Sequence, residues 1–285
     1  MNKIGVIICS ASGADYETFD YPVEKIHINL HLNDVLFRDF VDIKAKEFYH
    51  RIKNEEDLDI KTSQPAVGEV LEMYKDMKKK GYTEILVITI SSKLSGTFQG
   101  CVLAAGMIDG VKIRVVDSKS VSYGEIYLLN EAIKLIKEGK SVDEVADAIE
   151  KIIPNIDIYV YVDTLKFLVK NGRLSATKGA LATLLKIKPV LRLTSEDGAL
   201  IPFQNIRTSK KAIKRIYEIF EEKTRGRKVD AFVAYTDNPE FGEEVRATLL
   251  KIKPDLGDVK IVQLTPVVGA HAGHGTLGVG FFYKD

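Results

Sequence analysis

The chain has no tryptophan, only two cysteines, no long apolar run and no excess of either charge. Apart from the missing tryptophan, each absence removes a class of protein. Two cysteines, Cys9 in an apolar run and Cys101 inside an expected helix, read as buried thiols, so a disulfide scaffold is excluded. No stretch approaches the ~20 apolar residues of a membrane span. The apolar start after Lys3 stops at Ser10, short of the about 7–15 residues of a secretory core. Together these point to a cytoplasmic protein. Lys and Arg number 41 against 40 Asp and Glu. That balance argues against nucleic acid as a partner, because phosphate binding usually shows as a basic excess.

What is present is an ordinary globular composition, 45% hydrophobic, over 285 residues, enough for two cores. Strand and helix signals alternate. Residues 3–9 and 84–90 are short apolar runs expected as buried strands, and 112–116 is a further strand. Ile26, Ile28, Leu30 and Leu32 alternate with polar neighbours and predict one half-buried strand over 26–32. Helices are expected over 44–53, 68–80, 95–107 and 123–138, and from the Ser141-Val-Asp-Glu144 capping box to about 153. Pro154 and the strand signal IDIYVYV place a boundary there. The predicted organisation is an α/β domain over 1–155 with a mostly parallel sheet, and a second α/β domain over 156–285. In the second part, helices are expected at 164–170, 175–186, 209–222 and 239–251. Strands fall at 188–193, 200–206, 229–235, 259–264 and 278–283.

Four segments suit anion or hydroxyl binding as well as packing. Thr62-Ser63-Gln64-Pro65 precedes a helix, where the hydroxyls of Thr62 and Ser63 either cap it or face a cleft. Ile90-Ser-Ser-Lys-Leu-Ser-Gly-Thr97 joins a strand to a helix. Unpaired N–H groups at a helix start attract anions, Ser92 and Ser95 add donors, and Gly96 permits close approach to the backbone. The residue order of a P-loop is missing, so a carboxylate fits better than a triphosphate. Arg173, after Asn171-Gly172, follows a helix end, where a cation is favourable, and can also grip a carboxylate. Gly269-Ala-His-Ala-Gly-His-Gly275 reads as a glycine-rich turn presenting His271. Its two histidines lack a third ligand nearby, so neither metal nor cofactor is expected. No G-x-S-x-G elbow is present, although a contact of Ser92 or Ser95 with His271 would permit a hydrolase or acyltransferase.

In this order the segments resemble the DegV family. Val116-Asp-Ser-Lys-Ser-Val-Ser122 with Gly124, Val162-Asp-Thr-Leu-Lys-Phe-Leu168, Ile187-Lys-Pro-Val190 and Ile206-Arg207 add to the likeness, which covers nearly the whole chain. The resemblance implies two α/β domains with a lipid-binding cleft between them and one long-chain fatty acid as ligand. It also implies a separate fatty acid kinase as partner, acting in phospholipid metabolism. It further implies no chemistry by the protein itself and only transient contact with membranes. By the same likeness Thr62, Ser95, Gly96 and His271 hold the carboxylate, with Arg173 near the mouth. The chain departs from the family at Cys9-Ser10, where an Asp-Ser pair is usual. It departs again at Ala272 and His274, where Thr and Pro are frequent.

Overall fold

The computed structural model describes residues 3–55, 57–177 and 187–284. Strand β1 (Ile4–Cys9) is buried along its whole length, as is β6 (Glu84–Thr89), which fits strands covered on both faces. With β2 (Val23–Ile26) and β7 (Lys112–Asp117) they form a four-stranded, all-parallel sheet in the order β2-β1-β6-β7. Four helices belong to this half's parallel layer: α2 (Val67–Lys79), α3 (Thr97–Ala105), α4 (Tyr123–Lys137) and α5 (Val142–Ile152). The capping box that opens α5 forms as read. Ser141 Oγ accepts the Glu144 N–H and Glu144 Oε2 accepts the Ser141 N–H at 2.9 Å. Its apolar residues Val142, Val145, Ala146 and Ile149 share one buried stripe.

The single strand expected over 26–32 is two strands in different sheets. The chain leaves the parallel sheet after Ile26, and Ser10 Oγ takes the Ile28 N–H at 3.1 Å. Residues 29–32 then form β3 (Asn29–Leu32), which pairs antiparallel with β4 (Val35–Arg38) and β5 (Ile60–Ser63). The uninterrupted alternation hid this break, because both strands present apolar residues at the same phase. Helix α1 (Ala45–Asn54) packs its buried face, Phe48, Tyr49 and Ile52, under this small sheet.

The second half carries a six-stranded sheet, order β10-β9-β8-β13-β11-β12. Its strands are β8 (Ile156–Tyr161), β9 (Val190–Leu193), β10 (Leu200–Gln204), β11 (Val229–Tyr235), β12 (Val259–Gln263) and β13 (Leu277–Tyr283). Only β11 and β12 pair parallel. They are joined by α8 (Pro239–Ile252), the right setting for a crossover. Every other neighbour is antiparallel, β13 entering between β8 and β11. Along β8 and β11 the side chains alternate between faces. Tyr159, Tyr161, Ala231 and Val233 pack with α7 (Ser209–Thr224) and α8, while Ile158, Phe232 and Ala234 join α4 in the largest core. The short helix α6 (Lys166–Lys170) follows β8. The helix expected over 175–186 falls largely outside the described residues. Among the described residues no helix is long and apolar enough to cross a membrane.

Candidate functional site

Ligands of parallel α/β sheets sit beyond the carboxyl ends of the strands, where the connecting loops gather. Here three such loops meet. Ala11 follows β1, Ile90, Leu94 and Ser95 follow β6, and Val121 and Ser122 follow β7; all line one cavity. Its opposite wall is one face of the six-stranded sheet, with Ile158, Val160, Leu193, Phe232 and Gly278. The cavity is closed by Thr62 of β5 and by α9 (Pro266–Ala272), which contributes Val267, Val268, His271 and Ala272. The cavity has a volume of about 110 Å³.

The lining is apolar except for a few polar side chains, and four of these belong to the segments singled out in the sequence. His271 Nε2 lies 2.8 Å from Thr62 Oγ1. Burial, and secondly the charge of Arg173, push the His271 ring down to about 3, so it is neutral at ordinary pH. Arg173 Nε donates to Leu94 O at 3.1 Å, tying the second half of the chain to the residue before Ser95. Ser95 Oγ lies 2.9 Å from Thr97 Oγ1 and accepts the Thr97 N–H at 3.3 Å, at the start of α3.

The His271 tautomer follows from its surroundings. Nδ1 is buried and meets no partner among the described residues. A proton there would leave a buried donor unpaired, whereas a proton on Nε2 has Thr62 Oγ1 as acceptor. The ring is thus the Nε2–H form, and Thr62 keeps its own O–H for an incoming acceptor.

Thr62, Ser95, Arg173 and His271, from four separate segments, therefore line one cavity. Ser63, Ser92 and Gly96 do not line the cavity. Ser63 is the next residue along β5, so its side chain points to the other face, where Oγ lies 2.9 Å from His31 Nε2. The Ser92 backbone N–H donates to Asp117 Oδ1 at 3.1 Å, which fixes the loop rather than a ligand. At Gly96 the space is filled by Gln64, whose Oε1 would collide with an added Cβ. The loop expected around His271 is in part a helix, for His271 sits in the last turn of α9. Pro266 at the first helical position was the available signal.

Two supports of α9 escaped the sequence reading. Asp39 is fully buried, and its Oδ1 accepts the Val267 N–H at 3.2 Å at the helix start. The Tyr49 hydroxyl donates to Leu264 O at 3.0 Å, just before the helix. At the first departure from the family pattern, Cys9 is buried and its thiol donates to Glu125 Oε2 at 2.9 Å. Burial pushes both groups up, so Glu125 holds its proton where an exposed carboxyl would not. Among the apolar helix residues that could have met a tail, Val102 and Leu103 are exposed on α3 and stand away from the cavity. Leu181, Leu184 and Leu185 lie outside the described residues.

Ser122 is the remaining polar surprise. It precedes α4 with φ 59° and ψ −134°, and the Gly124 N–H reaches Val121 O at 3.3 Å. That places Ser122 at the second position of a tight turn of the mirror-image type, where glycine is favoured. Such a conformation costs a non-glycine residue about 1–3 kcal/mol.

The family model described as an uncharacterised protein of the DegV family matches residues 3–284. A DegV domain-containing protein of Staphylococcus aureus (strain MRSA252) is 34% identical over 278 residues, covering 96% of this chain and 97% of that one. The crystal structure of a fatty acid binding DegV family protein from Streptococcus agalactiae superposes with TM-score 0.90 at 27% identity, covering 100% of both chains. That of DegV, a fatty acid binding protein from Bacillus subtilis, gives TM-score 0.87 at 28% identity, again over 100% of both.

Proposed function

The chain belongs to the DegV family, and on that premise we propose that it binds one long-chain fatty acid in the cavity between its two α/β halves. The observation that carries this reading is the meeting of Thr62, Ser95, Arg173 and His271 at an otherwise apolar cavity. Relatives of this chain from Streptococcus agalactiae and Bacillus subtilis are fatty acid binding proteins. A 16-carbon tail buries about fourteen CH2 groups at ~0.8 kcal/mol each, roughly 11 kcal/mol gross. Lost ligand freedom offsets a good part of that. The tail alone then accounts for micromolar or better affinity, provided the carboxylate is not left unpaired. Thr62, freed by the Nε2–H of His271 to donate its own proton, and Ser95 are the donors we assign to it. Arg173 supplies the compensating charge.

The finer reading is that the protein presents the carboxylate to a separate fatty acid kinase and does no chemistry itself. Its support is the family likeness together with the wiring of the site. A Ser–His hydrolase needs its histidine bonded to the nucleophile and oriented by a carboxylate. Here His271 faces Thr62, Ser95 pairs with Thr97, and Nδ1 meets no carboxylate among the described residues. Lys78, Lys79 and Lys80, clustered at the end of α2, bond locally to Asp109 O, Asp76 and Glu24.

The test is titration calorimetry of delipidated protein with palmitate, alongside Ser95→Ala and His271→Ala. We expect one site per chain, about tenfold or greater weakening in Ser95→Ala, the loss of one charge-assisted hydrogen bond, and weakening in His271→Ala, which no longer orients the Thr62 hydroxyl. Unchanged affinity in both variants overturns the head-group assignment. Acyl phosphate formation by an added kinase and ATP, dependent on this protein, tests the partnership.

A further inference from the structure

Each polar side chain of the cavity has at least one protein partner among the described residues, with one exception. Thr62 faces His271, Ser95 faces Thr97, and the Thr276 hydroxyl donates to Ala272 O at 2.9 Å. Ser122 is 4% exposed and lines the cavity, yet its hydroxyl makes no hydrogen bond among the described residues. A serine in front of a helix ordinarily turns its oxygen back to cap the first N–H groups. This one does not cap α4. Its backbone is held at φ 59°, where glycine would sit without strain.

The loop around it is firmly built. Asp117 Oδ1 accepts the Lys119 N–H at 3.0 Å, and Ser118 Oγ accepts the Ser120 N–H at 3.1 Å. Ser120 O accepts the Ser91 N–H at 2.9 Å. The Ser122 N–H faces the buried Glu125 carboxyl, which Cys9 holds from the other side. A rigid shell, a strained residue and an unpartnered hydroxyl on an apolar wall are the ingredients of a ligand contact. A plain methylene chain laid against it leaves the hydroxyl unpaired. A hydroxyl on the chain gives to it and accepts from it.

We propose that Ser122 is a second polar contact of the cavity, through which the protein takes acyl chains that carry a hydroxyl along their length, the hydroxy fatty acids. This rests on the reading of the cavity as the acyl site. In an all-apolar tunnel a chain hydroxyl is a burden, because it loses water and gains nothing. Beside Ser122 that loss is recovered.

The experiment titrates delipidated protein with stearate, 10-hydroxystearate and 12-hydroxystearate, two positions being used because the hydroxyl has to meet Ser122. The wild type should bind at least one hydroxy acid as tightly as stearate or more tightly. Ser122→Ala should weaken that acid about tenfold, the measure of one buried hydrogen bond, and bind stearate at least as tightly as the wild type does, since no hydroxyl is then stranded against the chain. Ser122→Gly, which relieves the backbone, should behave the same way and guards against misfolding of the alanine variant. The proposal falls if both hydroxy acids bind more weakly than stearate to the wild type. It falls equally if the variants lose stearate and hydroxy acid alike. Failure of stearate itself to bind would instead strike the acyl-site reading.

Discussion

His271 Nε2 and Thr62 Oγ1 stand 2.8 Å apart although 209 positions separate them in the chain. One residue lies on a strand of the small antiparallel sheet and the other at the end of a helix from the far half. The pair therefore forms only when both halves are docked. It also decides which protons the cavity offers, since the imidazole donates and the threonine hydroxyl is left to donate in turn.

The first prediction concerns that ring. With its pKa pushed down to about 3 by burial and by Arg173, His271 should stay neutral and Nε2-protonated throughout the physiological range. Because the folded value lies below the ordinary 6.5, its contribution to stability is intact above 6.5 and declines as pH falls toward 3. Long-range nitrogen–proton NMR of the imidazole from pH 5 to 8 reads both tautomer and charge. A titration midpoint inside that window contradicts the assignment.

Thr62→Val keeps the shape and removes the hydroxyl. It leaves the His271 donor unpaired and takes away a donor to the ligand, so acid affinity should fall about tenfold or more. Thr62→Ser should recover most of it. Calorimetry on the two variants separates loss of the hydroxyl from loss of packing.

Asp39 gives a pH-dependent effect. Burial pushes its carboxyl up to about 6 from 3.8, against the opposing pull of the Ser10 hydroxyl, the Val267 N–H and the Thr265 hydroxyl. The folded chain holds the proton more tightly between those values, so stability falls as pH rises through them and the cost is complete above about 6. Asp39→Asn removes this dependence. Relative to wild type it should improve by about 2 kcal/mol between pH 4.5 and 7.5, since each tenfold difference in proton affinity between the folded and unfolded chain is worth ~1.4 kcal/mol. Urea unfolding at the two pH values measures the difference, and an equal offset at both would refute it.

Gly269 lets α9 lie against Tyr49. An added Cβ would collide with the Tyr49 hydroxyl and stand 2.7 Å from its ring, and that hydroxyl is anchored on Leu264 O. Gly269→Ala should cost about 1–3 kcal/mol through overpacking. It should also weaken acid binding, because the displaced helix carries His271. An unaltered melting temperature would mean that Tyr49 moves aside freely.

Both thiols should be silent in the native protein. Cys9 and Cys101 are fully buried, and burial pushes the Cys101 thiol up to about 11 and Cys9 upward as well. Ellman's reagent at pH 8 should report neither over minutes and both after denaturation. A rapid native reaction would show that the first strand's end opens to solvent.

Much of this was legible in the residues. Buried strands such as β1 and β6 announce themselves as short apolar runs, and the capping box of α5 fixes its start to the residue. Thr62, Ser95, Arg173 and His271 could be named from motif order. Their meeting could not, because it depends on how the two halves dock. The antiparallel order of the second sheet was hidden for a similar reason: β13 reads as a terminal strand, and nothing local says that it goes between β8 and β11. Helix α9 was obscured by its own burial. Pro266, Val267, Gly269, Ala270 and Ala272 are all enclosed, so no polar stripe marks a period. Ser122 belongs to a motif that the sequence shows, but its strain resides in a dihedral angle that the motif does not reveal.

The position of β13 sets an order on assembly. Leu277 pairs with Tyr161 on one side and with Tyr235 on the other, and Gly278 beside it forms part of the cavity wall. During synthesis β8 emerges long before this partner and has to wait for it, a non-local pairing of the slow kind. Until the final strand slots in, the sheet is split and the pocket lacks a wall. A chain without β13 thus has an open pocket, and retention of a bound molecule would report that this strand had been inserted.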